Sequence, residues 1–342
     1  MATWPGTAIR HGQRIGREEG EEPAMDGAAS HVPVMLDRVR GLFAPALSGA
    51  GAVLVDATMG RAGHTRALLS DHPGLTVIGI DADQTAIDES RGLLAADLNR
   101  VTLVQAVYDQ IPAILADLGQ PSVQGVLFDL GVSSPQLDDP SRGFSYAHDA
   151  PLDMRMNRSG HLTAAEVINT YPAGRLARVF SEYGEERFAR RIADAVVRER
   201  SQEPITSTLR LAEIIRNSIP APARRRGGNP AKRTFQALRI EVNDELGALG
   251  RAVPAALDAV AVGGRVVVLS YHSLEDRIVK RALSQRSADT TPLGLPVPLA
   301  ASSPQFRLLT TGADRPDESE LAANPRAASA RLRAAQRLLE AA

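Results

Sequence analysis

Two acids and a glycine turn stand where an open α/β sheet does its chemistry. Val53-Leu-Val-Asp-Ala-Thr-Met-Gly-Arg-Ala-Gly-His-Thr65 reads as a buried strand, a turn and the opening of a helix. Val77-Ile-Gly-Ile-Asp-Ala-Asp83 reads as a second buried strand that ends on Asp81. A glycine turn lets a ligand approach the backbone, and an acid closing the next strand can accept hydrogen bonds from a pair of ribose hydroxyls. Together they point to a bound nucleoside. The turn Gly60-Arg-Ala-Gly63 misses the G-x-G-x-x-G dinucleotide pattern, since Ala62 stands where a glycine would be. That counts against NAD and FAD. It suits a nucleoside without a pyrophosphate, such as S-adenosylmethionine, whose methionine end has one carboxylate and one amine to place.

Other groups could act on a substrate. Asp129 closes the apolar run Val126–Leu130, and ligands bind outside the carboxyl ends of parallel strands. The bland alternative is an acid capping the next helix. Phe144 and Tyr146 lie in a Gly/Ser loop of a chain with only 4% aromatics, free to stack on a planar base or to fill core. Arg224 to Arg239 holds six basic residues and no acid. The run is either a solvated loop or a phosphate-contacting segment. His272 follows the run Val266–Leu269 and could be a base, a substrate contact or a structural hydrogen bonder. His64, inside the glycine turn, is better placed to shape the cofactor site than to move protons.

The elements that position these groups follow from apolar patterning. Short β-branched runs at Val53–Val55, Val77–Ile80, Val101–Val104, Val126–Leu130 and Val266–Leu269 predict strands buried on both faces of a parallel sheet. Helical patterns separate the first four, as in Thr85 to Leu98, so the sheet is doubly wound. About 130 residues part the fourth and fifth runs, far more than a crossover needs. They contain a capping box, Thr163-Ala-Ala-Glu166, and helical spacing over Arg175–Tyr183, Glu185–Arg200 and Thr208–Ser218. A helical subdomain from Gln136 to Arg233 therefore interrupts the sheet, and Thr234 to Leu249 reads as the crossover helix that returns to it. Ser284 to Gln305 reads as a loop and Phe306 to Thr310 as a strand. Ala328 to Leu339 is helical by propensity alone.

Bulk composition narrows the chemistry. The chain has 342 residues, a formal net charge of -1, 44% hydrophobic and 23% charged residues, and no cysteine. Disulfides, cysteine-ligated zinc, iron–sulfur clusters and cysteine nucleophiles are excluded, and no metal site is expected. No apolar run approaches the roughly 18 residues of a membrane span. Met1 to Ser30 reads as a disordered extension, with Met25 just ahead of the first recognisable motif. A cytoplasmic protein is expected.

Combined, the motifs resemble one family. They are Asp129-Leu-Gly-Val-Ser-Ser-Pro-Gln-Leu-Asp-Asp139, Arg142-Gly-Phe-Ser145, Pro151-Leu-Asp-Met-Arg-Met156, Tyr183-Gly-Glu-Glu-Arg-Phe-Ala189, Arg233-Thr-Phe-Gln-Ala237 and His272-Ser-Leu-Glu-Asp-Arg277. This set is similar to the bacterial small-subunit ribosomal RNA methyltransferases of the RsmH (MraW) type, which methylate N4 of a cytosine in the decoding region of 16S rRNA. The resemblance spans His31 to Ala327. It implies a class I S-adenosylmethionine-dependent methyltransferase: a Rossmann-like doubly wound sheet with an antiparallel C-terminal edge strand, here Ala330 to Gln336 against its helical propensity. The implied division is an extension over 1–30, a methyltransferase domain over 31–135 and 234–342, and a substrate-recognition insertion over 136–233.

By the same resemblance, Ala62, Gly63 and His64 hold the methionine end, Asp81 the ribose and Tyr108 the adenine, with Asp129 and Gln136 completing the site. Ala62 and Tyr108 depart from the family's usual glycine and phenylalanine. Asp129 and His272 are the candidate catalytic residues, and a carbonyl within Leu130 to Ser134 could share the work of Asp129. Arg142, Phe144, Tyr146, Lys232, Arg233 and Tyr271 are the candidate RNA contacts. The implied partner is 16S rRNA within a small-subunit particle, without a membrane, and a homodimer is open. Two rivals stand beside this reading: a methyltransferase for a DNA amine or a small molecule, and a non-catalytic protein of the same fold.

Overall fold

The computed structural model describes residues 32–224, 229–289 and 303–339. The extension expected over 1–30, Arg225 and Arg226 of the basic run, and residues 290–302 of the expected loop lie outside them.

Seven strands form one sheet: β1 Val53–Asp56, β2 Thr76–Asp81, β3 Val101–Gln105, β4 Val123–Asp129, β5 Val260–Ser270, β6 Phe306–Leu308 and β7 Arg331–Arg337. Their order is β3-β2-β1-β4-β5-β7-β6. The first five run parallel, and β7 lies antiparallel to both β5 and β6. Alternation along each strand builds two apolar layers. Val55, Ile78, Val126, Phe128, Val266 and Val268 pack on one face, under helix Glu245–Ala259. Leu54, Val77, Leu127, Val267 and Leu269 pack on the other, under helix Leu36–Leu47.

Burial on both faces fails at β3. As the sheet's edge it keeps Val101, Leu103 and Val104 only partly covered. The Ala-rich end is a strand, as topology required: Ala334 and Ala335 pair with Val267 and Val266 and are fully buried. Pairing in an otherwise open sheet edge outweighs a helix propensity of a few tenths of a kcal/mol per residue.

A third apolar cluster gathers Phe144, Leu152 and Met154 with helices Ala164–Thr170, Ala173–Glu182, Ala189–Arg200 and Thr208–Ser218. The capping box is present, Thr163 Oγ1 accepting from Glu166 N and Glu166 Oε2 from Thr163 N. The single crossover helix expected over Thr234 to Leu249 is two helices. Lys232–Asn243 puts Phe235, Ala237 and Leu238 into the helical cluster, whereas Glu245–Ala259 puts Leu249, Val253 and Leu257 on the sheet. The chain turns between them at Asp244, whose φ is +49°. Apolar periodicity runs through such a break unchanged, so it left no mark on the pattern. Helix Ser273–Ser287 likewise extends into the segment expected to be loop from Ser284.

Candidate active site

Strand register brings the acids to one rim. Asp56 lies opposite Gly79 and Leu127, Asp81 opposite Gln105, and Asp129 opposite Leu269. The glycine turn sits above β1 and is held by β2. Gly60 and Ala62 both have left-handed backbone, φ +50° and +56°. Gly63 then opens helix Gly63–Asp71, where an added Cβ would lie 2.5 Å from Pro33 Cγ. Gly60 N donates to Asp81 Oδ2 and Asp83 N to Asp81 Oδ1, each at 2.9 Å. Asp81 therefore shapes the turn as well as facing the site. Burial pushes its carboxyl up to about 6, although both amides pull it down.

Asp129 gathers the second half of the rim. Its N–H donates to Thr58 Oγ1 at 2.6 Å, which ties β4 to the glycine turn. Its Oδ1 accepts from the Tyr271 hydroxyl at 2.6 Å, and its Oδ2 lies 3.4 Å from His64 Nε2. Burial, then the Asp129 charge, raises the Tyr271 phenol well above its ordinary range, so it stays a neutral donor. His64 is only 5% exposed, and neither ring nitrogen has an aligned hydrogen-bond partner among the described residues. Beneath them, Asp56 accepts from Thr65 Oγ1 at 2.7 Å and is raised by burial.

Three expected contacts point elsewhere. Arg142 is 4% exposed: Nη1 meets Asp83 Oδ2 at 2.7 Å, and Nη2 donates to the carbonyls of Arg155 and Met156. Gln136 Nε2 donates to the same Asp83 oxygen at 2.9 Å. Arg142 is thus a buried clasp in this conformation. Phe144, expected to stack on a base, is buried in the helical cluster with that guanidinium 5.7 Å from its ring. A cleft of about 120 Å³ beside the clasp, bordered by Arg61, Asp83 and Gln136, is too small to seat a nucleoside.

Tyr146 packs edge-on against Phe235 at 5.3 Å and is half-buried. Tyr108 packs edge-on against Phe128 at 5.8 Å, and its hydroxyl donates to Glu245 O. His272, a candidate catalytic residue, makes a structural contact here, and its Nε2 has no aligned hydrogen-bond partner among the described residues. It caps helix Ser273–Ser287, its Nδ1 accepting from Glu275 N at 3.5 Å, with Nε2 3.1 Å from Glu275 Oε1. Burial alone would raise the Glu275 carboxyl, but the His272 ring, Arg239 and the Tyr271 amide outweigh it and hold it low. Arg239 leaves the basic run altogether, half-buried against Glu245 at 2.8 Å. Lys232 and Arg233 remain exposed, Arg233 donating to Glu185 O.

The residues suit the expected donor. A buried imidazole with no aligned hydrogen-bond partner among the described residues can take a polar ligand group, and Asp129 and Asp56 beside it favour a cation. A methionine end with an ammonium and a carboxylate meets both demands. Sequence reasoning passed over Asp56, Asp83 and Glu275. Asp56 carries the same signal as Asp129, an acid at the end of a strand, and Asp83-Gln-Thr85 carries a helix-cap signal, since Thr85 N donates to Asp83.

Residues 28–338 match the MraW methylase family. The chain is 61% identical over 313 residues to the ribosomal RNA small subunit methyltransferase H of Thermobifida fusca, covering 92% of this chain and 95% of that protein. It is 58% identical to the protein of the same name from Saccharopolyspora erythraea, covering 95% and 99%. A solved rRNA methylase from Streptococcus thermophilus aligns over 87% of this chain and 93% of its own, at 12% identity and a TM-score of 0.38. The chain belongs to the MraW methylase family.

Proposed function

We propose that the protein methylates the exocyclic N4 of a cytosine in the decoding region of 16S rRNA, with S-adenosylmethionine as donor. The relatives' name supports small-subunit rRNA as substrate. The observation that carries the chemistry is Asp129, gripped on one oxygen by Tyr271 and left with the other beside His64.

Bound S-adenosylmethionine supplies an electrophilic methyl on a sulfonium. His64, Ala62 and Gly63 hold its methionine end and Asp81 its ribose. The lone pair of a cytosine amine is delocalised into the ring, so the amine is a poor nucleophile until an acceptor engages its hydrogens. Asp129 is that acceptor, and Tyr271 holds the carboxylate still. Orientation and preset dipoles supply most of the rate. Methylation at C5 of cytosine ordinarily needs a cysteine adduct, and the chain has no cysteine. The target base must leave its stack, and Tyr146 and Tyr271 are the half-buried aromatics available to receive it. No helix among the described residues is long and apolar enough to cross a membrane. The reaction belongs with ribosome assembly in the cytoplasm.

The test is methyl transfer from labelled S-adenosylmethionine to small-subunit particles, naked 16S rRNA and DNA, with products read as nucleosides by mass spectrometry. N4-methylcytidine in RNA alone is expected, and Asp129→Ala should stay folded and make none. Label in DNA, or at another atom, would overturn the reading. Normal turnover by Asp129→Ala would remove that residue from the mechanism.

A further inference from the structure

Away from the rim, helices Ala189–Arg200 and Thr208–Ser218 enclose a groove of about 640 Å³. Arg190, Arg191, Arg198 and Arg210 line it over a floor that includes Ala195 and Ile214. Arg210 is already paired, with Glu199 at 2.5 Å and Glu213 at 2.9 Å. The guanidiniums of Arg190, Arg191, Arg198 and nearby Arg187 are exposed and have no ion pair or hydrogen bond among the described residues. Asp194 is the one acid on the lining not engaged by Arg210. Other exposed arginines, such as Arg66, Arg178 and Arg281, also meet no carboxylate among the described residues, but here three such arginines line one groove. The arrangement also costs helix stability. Arg190 and Arg191 stand in the first turn of Ala189–Arg200, the helix end that disfavours positive charge, and that turn contains no acid to offset them.

The stripe starts beside the rim. Glu185, two residues before Arg187, accepts from Ser273 Oγ at 2.7 Å, and Ser273 is the neighbour of His272. From Arg190 to Arg198 the helix then climbs roughly 12 Å. We propose that this groove binds the phosphodiester backbone of the RNA that flanks the target base, so that a strand leaving the rim is held along the helical cluster. The proposal rests on the rRNA reading above. A polyanion supplies the missing counter-charge at several points along one line, and guanidinium forks match phosphate oxygens.

The test is a salt titration of binding between the protein and a naked RNA fragment carrying the decoding region, wild type against R190Q/R191Q/R198Q. Three lost phosphate contacts should make the slope of log K against log salt shallower by about 2. KM for RNA should rise, while kcat at saturating RNA and cofactor affinity stay at wild-type values. If wild type methylates the RNA and the triple variant keeps its slope and KM, the groove proposal fails alone. If wild type methylates no RNA, the underlying reading fails, whatever the slopes show. Weaker binding of the variant to intact small-subunit particles only, with naked RNA unaffected, would assign the groove to a ribosomal protein and overturn the proposal.

Discussion

Asp83 and Asp129 stand at the ends of neighbouring segments of one rim, and they are treated in opposite ways. Asp83 is 3% exposed and accepts from the Thr85 amide, the Gln136 carboxamide and the Arg142 guanidinium. Every strong demand it makes is met inside the protein. The Asp129 side chain keeps 27% of its surface and has a hydroxyl on one oxygen. On the other side it faces, at 3.4 Å, an imidazole with no aligned hydrogen-bond partner among the described residues. The first acid builds shape and the second keeps capacity for a ligand. A charged residue on a strand-end rim is therefore no evidence of chemistry until its partners are counted.

The largest effect should come from opening the finished site. Arg142→Ala leaves Asp83 buried beside a neutral carboxamide, and breaking a buried pair costs about 3–5 kcal/mol. Urea unfolding should show that loss. A change under about 1 kcal/mol would mean that Asp83 reaches water and that the contrast with Asp129 is overstated. Next comes Tyr271→Phe, which removes one bond to the carboxylate and nothing from the core. The bond contributes at most about 1.5–3 kcal/mol to folding, and a carboxylate left free to swing should lower kcat by at least about 10-fold through lost orientation. Wild-type kcat would show that Asp129 needs no anchoring.

Much of this contrast could be read from the chain, and the unread part has a common cause. The five parallel strands, the glycine turn, Asp81 and Asp129 were legible because strand periodicity and strand-end position are local signals, whereas β7 came only from the resemblance. The clasp was not. Arg142 lies 59 residues from Asp83, and nothing in Arg142-Gly-Phe-Ser145 says whether a guanidinium turns inward or outward. The same holds for Arg239, which looked like one more cation of a basic run until Glu245 folded back beside it across the turn at Asp244. What a charge meets is decided by how the chain folds back, across 59 residues for Arg142 and across 6 for Arg239, and a single sequence pairs neither.

Asp81 lies between the two cases and makes the comparison dependent on pH. With its carboxyl pushed up to about 6, it becomes a full acceptor for ribose hydroxyls only above that pH. Cofactor Kd should tighten as pH rises from 5 to 7, by up to roughly tenfold per unit below the midpoint. Asp81→Asn should flatten the profile. Folding feels the opposite sign, because a carboxyl that holds its proton more tightly when folded adds stability below about pH 4 and loses it as pH climbs through about 6. A pH-independent Kd in the wild-type protein would show that Asp81 serves only the Gly60 turn.

The smallest effect is expected at Ala62, where the turn carries a methyl in left-handed backbone at φ +56°. That conformation costs a non-glycine residue about 1–2 kcal/mol, so Ala62→Gly should look stabilising. Two terms oppose it. The methyl is fully buried, which contributes about 0.8 kcal/mol. A glycine also loosens the unfolded chain by about 0.4–1 kcal/mol. Gain and loss nearly cancel, so the variant should unfold within about 0.5 kcal/mol of wild type and bind cofactor equally well, the residue offering only backbone to a ligand. A stabilisation above about 1 kcal/mol would mean that the turn is strained beyond what its burial repays, and that this half of the rim is less finished than Asp83 suggests.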